Sequence, residues 1–133
     1  MYRITKRFHF CYGHRLLDYD GPCAHPHGHN GLVEIDLESP ELDDQGMVWD
    51  FGEISSRLKD FIDDRLDHQM ILRSDDPLAA VLKKMGEPVY LLDANPTAEN
   101  LARLIFEEGR RRGIPVKAVR LWETPRNSAE YRE

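Results

Sequence analysis

No stretch of this chain is long and apolar enough to cross a membrane as a helix. Its polar start, Met1-Tyr2-Arg3, lacks the pattern of an export signal, so the expected location is the cytoplasm and no membrane partner is expected. Cysteine is scarce, and Cys11 and Cys23 are not expected to form a structural disulfide in a chain without an export signal. A positive excess is missing too. Lys and Arg number 18 against 24 Asp and Glu, for a net charge of −6, which argues against the basic face that dominates nucleic-acid affinity. An anionic small ligand remains compatible, because a local cation cluster or a metal ion can meet it. Low-complexity segments, short repeats and linker composition are also absent, so residues 1–133 are expected to form one domain with an ordinary core.

What is present is regular patterning. Tyr2, Ile4, Phe8 and Phe10 alternate with mostly polar residues and predict a strand over 2–11. Leu32–Ser39 predicts a second, with Val33, Ile35 and Leu37 on one face and Glu34, Asp36 and Glu38 on a solvated or subunit-facing one. Met47-Val48-Trp49 reads as a short extended return. Phe51, Ile54, Leu58, Phe61, Ile62 and Leu66 then form a helical stripe behind Asp50 as N-cap, ending at Leu66-Asp67-His68. Asp75-Asp76-Pro77 starts a shorter helix closed by Gly86, and Pro88–Leu92 is extended. A second long helix opens at Asn95-Pro96-Thr97 and closes on Arg110-Arg111-Arg112 and Gly113. Strands follow over Val116–Glu123 and Ala129–Arg132. Hairpins at both ends with helices between them predict an antiparallel sheet covered on one face.

The chemistry concentrates in Cys23-Ala24-His25-Pro26-His27-Gly28-His29, which holds half of the six histidines. In extended chain, His27 and His29 point the same way and can grip one metal ion. Gly28 removes a side chain where the backbone and a metal would come close. A zinc site needs at least one more ligand. His25 would make a single-strand triad, but Pro26 disfavours a regular paired strand there. His14, just past the first strand, is favoured, and three histidines leave a position open for a substrate oxygen. Cys23, beside a dication, is either a fourth ligand or a thiolate base. Asp67-His68 reads as a proton relay or as a helix-end histidine. Glu123 can accept two parallel N–H bonds from a guanidine-like ring edge, or be a solvated strand-end acid.

These segments together resemble one family. Phe10–Leu16, Cys23–Asn30, Gly46–Phe51, Leu66-Asp67-His68, Pro96–Asn100 and Glu123-Thr124 with Tyr131 are similar, in that order, to the 6-pyruvoyl-tetrahydropterin synthase / 6-carboxytetrahydropterin synthase family. The resemblance implies an α+β tunnelling fold (T-fold): a four-stranded antiparallel sheet with two long helices on one face, assembled into a homo-hexamer of two trimers. It places active sites at subunit interfaces, so a lone monomer is expected to be inactive. It implies Zn2+ on His14, His27 and His29, Cys23 as proton acceptor with Asp67 and His68 as relay, Glu123 anchoring the pterin, and Thr97 and Glu99 lining its pocket.

The implied substrate is 7,8-dihydroneopterin triphosphate. Three residues separate Cys23 from His27, a spacing that resembles the bacterial 6-carboxy enzymes of 7-deazapurine (queuosine) biosynthesis. The expected products are 6-carboxytetrahydropterin, acetaldehyde and triphosphate. A 6-pyruvoyl-tetrahydropterin synthase, or a non-catalytic zinc- and pterin-binding oligomer, is the alternative. Two features depart from the family: Leu72 stands where an asparagine is usual, and 74–93 is longer than in compact bacterial members. Arg15 and Arg126 are the candidates for triphosphate contacts.

Overall fold

Two long strands, β1 (Tyr2–His14) and β2 (His27–Ser39), pair antiparallel along their whole length, from Tyr2 opposite Ser39 to His14 opposite His27. The computed structural model describes residues 1–133. Both strands outrun the sequence expectation because the ladder continues through the histidine segment. Gly28 permits this, but for a reason other than the expected one. A Cβ at Gly28 would stand 3.1 Å from the Tyr12 carbonyl oxygen, so it is the neighbouring strand that needs the space.

Phe8, Phe10 and Tyr12 of β1 and Val33, Ile35 and Leu37 of β2 share one sheet face. Helix α1 (Phe51–Phe61) packs its Ile54, Leu58 and Phe61 onto that face, starting from Asp50, whose side chain accepts the Gly52 N–H at 2.7 Å. A widened π turn over Ile62–Leu66 extends it, and the chain leaves at Asp67. After β3 (Gln69–Arg73), α2 (Pro77–Lys84) and β4 (Val89–Leu92), helix α3 (Ala98–Arg111) brings Leu101, Ala102, Ile105 and Phe106 to the same core. Strands β5 (Ala118–Thr124) and β6 (Asn127–Arg132) close the chain as a hairpin.

The strand order is β4-β3-β1-β2-β5-β6. This corrects the expected four-stranded antiparallel sheet with two helices: the sheet has six strands, is mixed, and is served by three helices. Strand β3 runs parallel to the end of β1, at Tyr12 to His14, and β4 runs parallel to β3. Parallel neighbours need a crossover connection. Residues 74–93 supply it, because α2 links β3 to β4. Strand β3 escaped the sequence reading because Ile71 and Leu72 are consecutive and both fully buried, which leaves no alternation to detect. The expected short strand at Met47-Val48-Trp49 is irregular chain, with Val48 and Trp49 packed against the core.

Two of the three acids on the second face of β2, Glu34 and Asp36, are not solvated, while Glu38 is half-buried. Glu34 and Asp36 are 7% and 3% exposed. Glu34 accepts from Trp122 Nε1 at 2.7 Å, Arg7 Nε at 3.1 Å and Arg120 at 3.3 Å, which answers the cost of burying its charge. Burial pushes its pKa up, but these donors together bring it below the usual carboxylate value.

Candidate functional site

The pairing of β1 with β2 sets His14 opposite His27 and Tyr12 opposite His29. Period-two alternation carries the core face of both strands past the hydrophobic residues and ends it in three imidazoles. Their ring centroids are 4.5 Å (His14–His27), 5.0 Å (His14–His29) and 5.1 Å (His27–His29) apart. One ligand nitrogen from each falls within 4.8 Å of the others. His14 Nε2 and His29 Nε2 are 3.1 Å apart. Two nitrogens about 2 Å from one tetrahedral ion are separated by roughly 3.3 Å, so the spacing fits a shared metal.

The outer partners select the tautomer that a metal needs. His14 Nδ1 faces the Pro96 carbonyl at 2.7 Å, and His27 Nδ1 faces the His25 carbonyl at 2.7 Å. A carbonyl only accepts, so Nδ1 carries the proton and Nε2 is left bare on both rings. His14 is 3% exposed. Burial, reinforced by the neighbouring His27 and His29 against the pull of the Pro96 carbonyl, lowers its pKa to about 4. It is therefore neutral, as a ligand must be, at pH 7. His14, His27 and His29 form a group that can hold a metal ion. His25 is exposed and contributes its carbonyl, not its ring.

Cys23 sits in a 3-10 turn, Pro22–Ala24, fixed by the Leu16 N–H donating to its carbonyl at 2.9 Å. It is half-buried and stands outside the metal-ligand cluster. It lines a cavity of about 210 Å³ together with His14, Thr97, Glu99 and Glu123. Glu123 enters from β5, its carboxylate oxygens 4.0 Å from His14 Nε2 and 3.8 Å from His29 Nε2. Thr97 and Glu99 come from the start of α3, where Thr97 Oγ1 caps the helix by accepting the Asn100 N–H at 3.2 Å. His14, Cys23, Thr97, Glu99 and Glu123 thus converge on one cavity, with His27 and His29 beside it.

Asp67 and His68 form the expected pair, but elsewhere in the chain. Asp67 Oδ2 is 2.7 Å from His68 Nδ1, while Oδ1 accepts the Cys11 N–H at 2.8 Å. Burial pushes the Asp67 pKa up, but the Cys11 N–H and His68 together bring it below its ordinary value. The His68 N–H donates to the Cys11 carbonyl at 2.6 Å, and His68 adopts φ 58°. That left-handed backbone is costly for a side chain with a Cβ. The His68 ring is 79% exposed and faces a groove of about 810 Å³ that reaches His27 and His29 but not Cys23, lined also by Met70, Leu82 and Met85. One chain therefore does not bring His68 into the cavity of Cys23.

Some residues of the site carried no signal. Asn95 clamps the loop after β1 to the approach of α3, accepting the Leu17 N–H and donating to the Leu17 carbonyl, both at 2.9 Å. Only the Asn-Pro-Thr helix-start pattern hinted at it. Arg15 is not free for a phosphate: its guanidinium grips Asp76 at the start of α2, with Nε 2.8 Å from Oδ2.

Comparison with known proteins locates this arrangement. The family model described as 6-pyruvoyl tetrahydropterin synthase matches residues 3–133. The chain belongs to this family. A relative in Rickettsia conorii named 6-carboxy-5,6,7,8-tetrahydropterin synthase is 34% identical, with 94% of this chain and 96% of the relative covered. A relative of the same name in Haemophilus influenzae is 32% identical over the full length of both chains. The crystal structure of an uncharacterized protein from Wolinella succinogenes superposes with a TM-score of 0.87 at 31% identity, covering 99% of this chain and 98% of that one. The chain thus shares its α+β fold with that protein over nearly the whole length of both.

Proposed function

We propose that this chain is a 6-carboxy-5,6,7,8-tetrahydropterin synthase, a zinc-dependent lyase of queuosine-type 7-deazapurine biosynthesis. It converts 7,8-dihydroneopterin triphosphate to 6-carboxytetrahydropterin, acetaldehyde and triphosphate. The observation that carries this reading is that His14, Cys23 and Glu123 line one small cavity, beside the cluster that His14 forms with His27 and His29, in a chain whose full-length relatives bear that name.

The geometry supports the following roles. His14, His27 and His29 would hold a divalent cation, which would supply Lewis acidity toward the hydroxyls of the substrate side chain. Glu123 accepts the two parallel N–H bonds of the pterin's guanidine-like edge, and so fixes the ring in the cavity. Thr97 and Glu99 line the pocket around it. Cys23 removes a carbon-bound proton from the side chain thus presented. His68 moves protons to and from side-chain oxygens. Its Nδ1–H is held on Asp67 Oδ2, which leaves Nε2 as the exchanging atom.

His68 and Cys23 face different cavities of one chain, which supports a site completed by the Asp67–His68 pair of a neighbouring subunit. The free edges support assembly. From Tyr2 to Cys11, β1 has β2 on one side and no strand on the other, and β6 is the opposite edge. Unpaired edges of this length are templates for joining sheets. We take the active form to be a homo-hexamer of two trimers, each chain acting as one domain in the cytoplasm.

Mixing tests both roles at once. Cys23→Ala should abolish turnover while metal content is kept, and His68→Ala should do likewise. Co-refolded mixtures of the two should regain activity through sites that receive an intact Cys23 from one chain and an intact His68 from another. Turnover that survives in Cys23→Ala would sink the base assignment, and metal lost with it would make Cys23 a ligand.

A further inference from the structure

Two buried side-chain polar atoms have no hydrogen-bond partner, Trp49 Nε1 and the Tyr12 hydroxyl. Native chains leave few such groups, and each calls for an explanation. Trp49 lies just before α1, its ring 5.8 Å from the Arg57 guanidinium, and it lines none of the cavities described above. Tyr12 lies under the functional site.

Its ring stacks on Phe10 with centroids 5.0 Å apart and meets the ligand rings His14 and His29 at 5.2 Å and 5.7 Å. It is only 3% exposed. The ring leans across Gly31 of β2: a Cβ there would come within 3.0 Å of Tyr12 Cε1 and 3.2 Å of the Phe10 carbonyl oxygen. Glycine at 31 is thus what lets the phenol reach toward β5. Glu123 of β5 flanks the imidazoles that this ring meets. The same carboxylate leans toward His14 and His29 at 4.0 Å and 3.8 Å. No N–H or O–H of the chain donates to Glu123 within hydrogen-bond distance. A carboxylate without a donor and a buried hydroxyl without an acceptor therefore flank the same two imidazoles.

We infer that Tyr12 is the positioning residue of Glu123: in the loaded site its hydroxyl donates to the Glu123 carboxylate and holds it toward the edge of the bound ring. This rests on the reading of Glu123 as the pterin anchor. A carboxylate held by a buried donor loses rotational freedom before the ligand arrives, and preorganisation of that kind raises affinity. The arrangement trades stability for binding. The unmade bond weakens the empty protein, and the made bond strengthens the complex.

Tyr12→Phe removes the hydroxyl alone, so the two halves of that trade move in opposite directions. In the metal-free full-length protein, the melting temperature should stay level or rise by a few degrees. Zn2+ affinity and inorganic triphosphate affinity should not change. The Kd for 7,8-dihydroneopterin, measured by titration of the zinc-loaded protein, should rise about tenfold, and KM should rise more than kcat falls. A purely structural tyrosine predicts a lower melting temperature and weaker metal binding instead, and that pattern overturns the inference. An unchanged dihydroneopterin Kd in the variant, beside normal binding by the parent, overturns the Tyr12 role and leaves the proposed function standing. A parent protein that binds no dihydroneopterin overturns the proposed function itself and the Tyr12 role with it.

Discussion

Replacing Arg15 by Met should loosen the segment that follows β3 without touching the chemistry. Asp76 is fully buried at its side chain. Its carboxylate does two jobs, accepting both nitrogens of the Arg15 fork and capping α2 through the Leu78 N–H at 2.8 Å. Removing one partner of a buried pair leaves the other charge uncompensated, typically a loss of 3–5 kcal/mol. The retained cap bond reduces this, and Arg15 keeps 22% of its side chain in solvent, so we expect a loss of about 3 kcal/mol at pH 7.

The pH dependence identifies the cause. The Arg15 guanidinium, helped by the Leu78 N–H and against burial, holds the Asp76 pKa below its ordinary 3.8. Stability from this group is therefore present above pH 3.8 and lost as pH falls through the lower folded value. Without Arg15 the buried carboxyl should titrate above its ordinary value, so the deficit of the variant must shrink as acid protonates it. Adding Asp76→Asn keeps an acceptor for the cap and removes the orphaned charge, and should recover most of the loss. Urea unfolding followed by circular dichroism from pH 4 to 8 measures each quantity. A deficit below about 0.5 kcal/mol, or one independent of pH, would refute the reasoning. A specific loss of triphosphate affinity at unchanged stability would restore Arg15 as a phosphate ligand.

Two other outcomes follow from the histidines. His14 has a folded pKa of about 4 against an ordinary 6.5. The unfolded chain therefore takes up its proton first as pH falls, and metal-free protein should lose about 3 kcal/mol between pH 6.5 and pH 4, full stability lying above that window; a flat profile there contradicts the buried neutral imidazole. His27→Ala should weaken Zn2+ binding at least 100-fold by removing one of three ligands, while metal-free stability shifts by about 1 kcal/mol or less because His27 is only half-buried. Calorimetric metal titration and thermal melts of the same samples report the two effects separately.

The histidine cluster was legible because two physical constraints met in the sequence. Alternation put His27 and His29 on one face, and Pro26 disfavoured His25, which left His14 across the ladder. The long helices were equally plain, because their apolar stripes and the caps Asp50 and Thr97 agree. The β3-α2-β4 unit was not legible as sheet, since a short parallel strand buried on both faces gives no period. Spacing also could not show that Asp67-His68 turns away from Cys23, because that depends on the π turn at 62–66 and the left-handed backbone of His68. The buried acids of β2 read as solvated or subunit-facing for a related reason. Their cations, Arg7 and Arg120 for Glu34 and Arg3 for Asp36, come from neighbouring strands.

The most direct test of the central claim is the product. Zinc-loaded protein incubated with 7,8-dihydroneopterin triphosphate should release acetaldehyde and 6-carboxytetrahydropterin in equal amounts, with one triphosphate for each. Release of triphosphate with 6-pyruvoyl-tetrahydropterin and no acetaldehyde would contradict the claim in favour of the pyruvoyl reaction, and binding without turnover would leave only the non-catalytic oligomer.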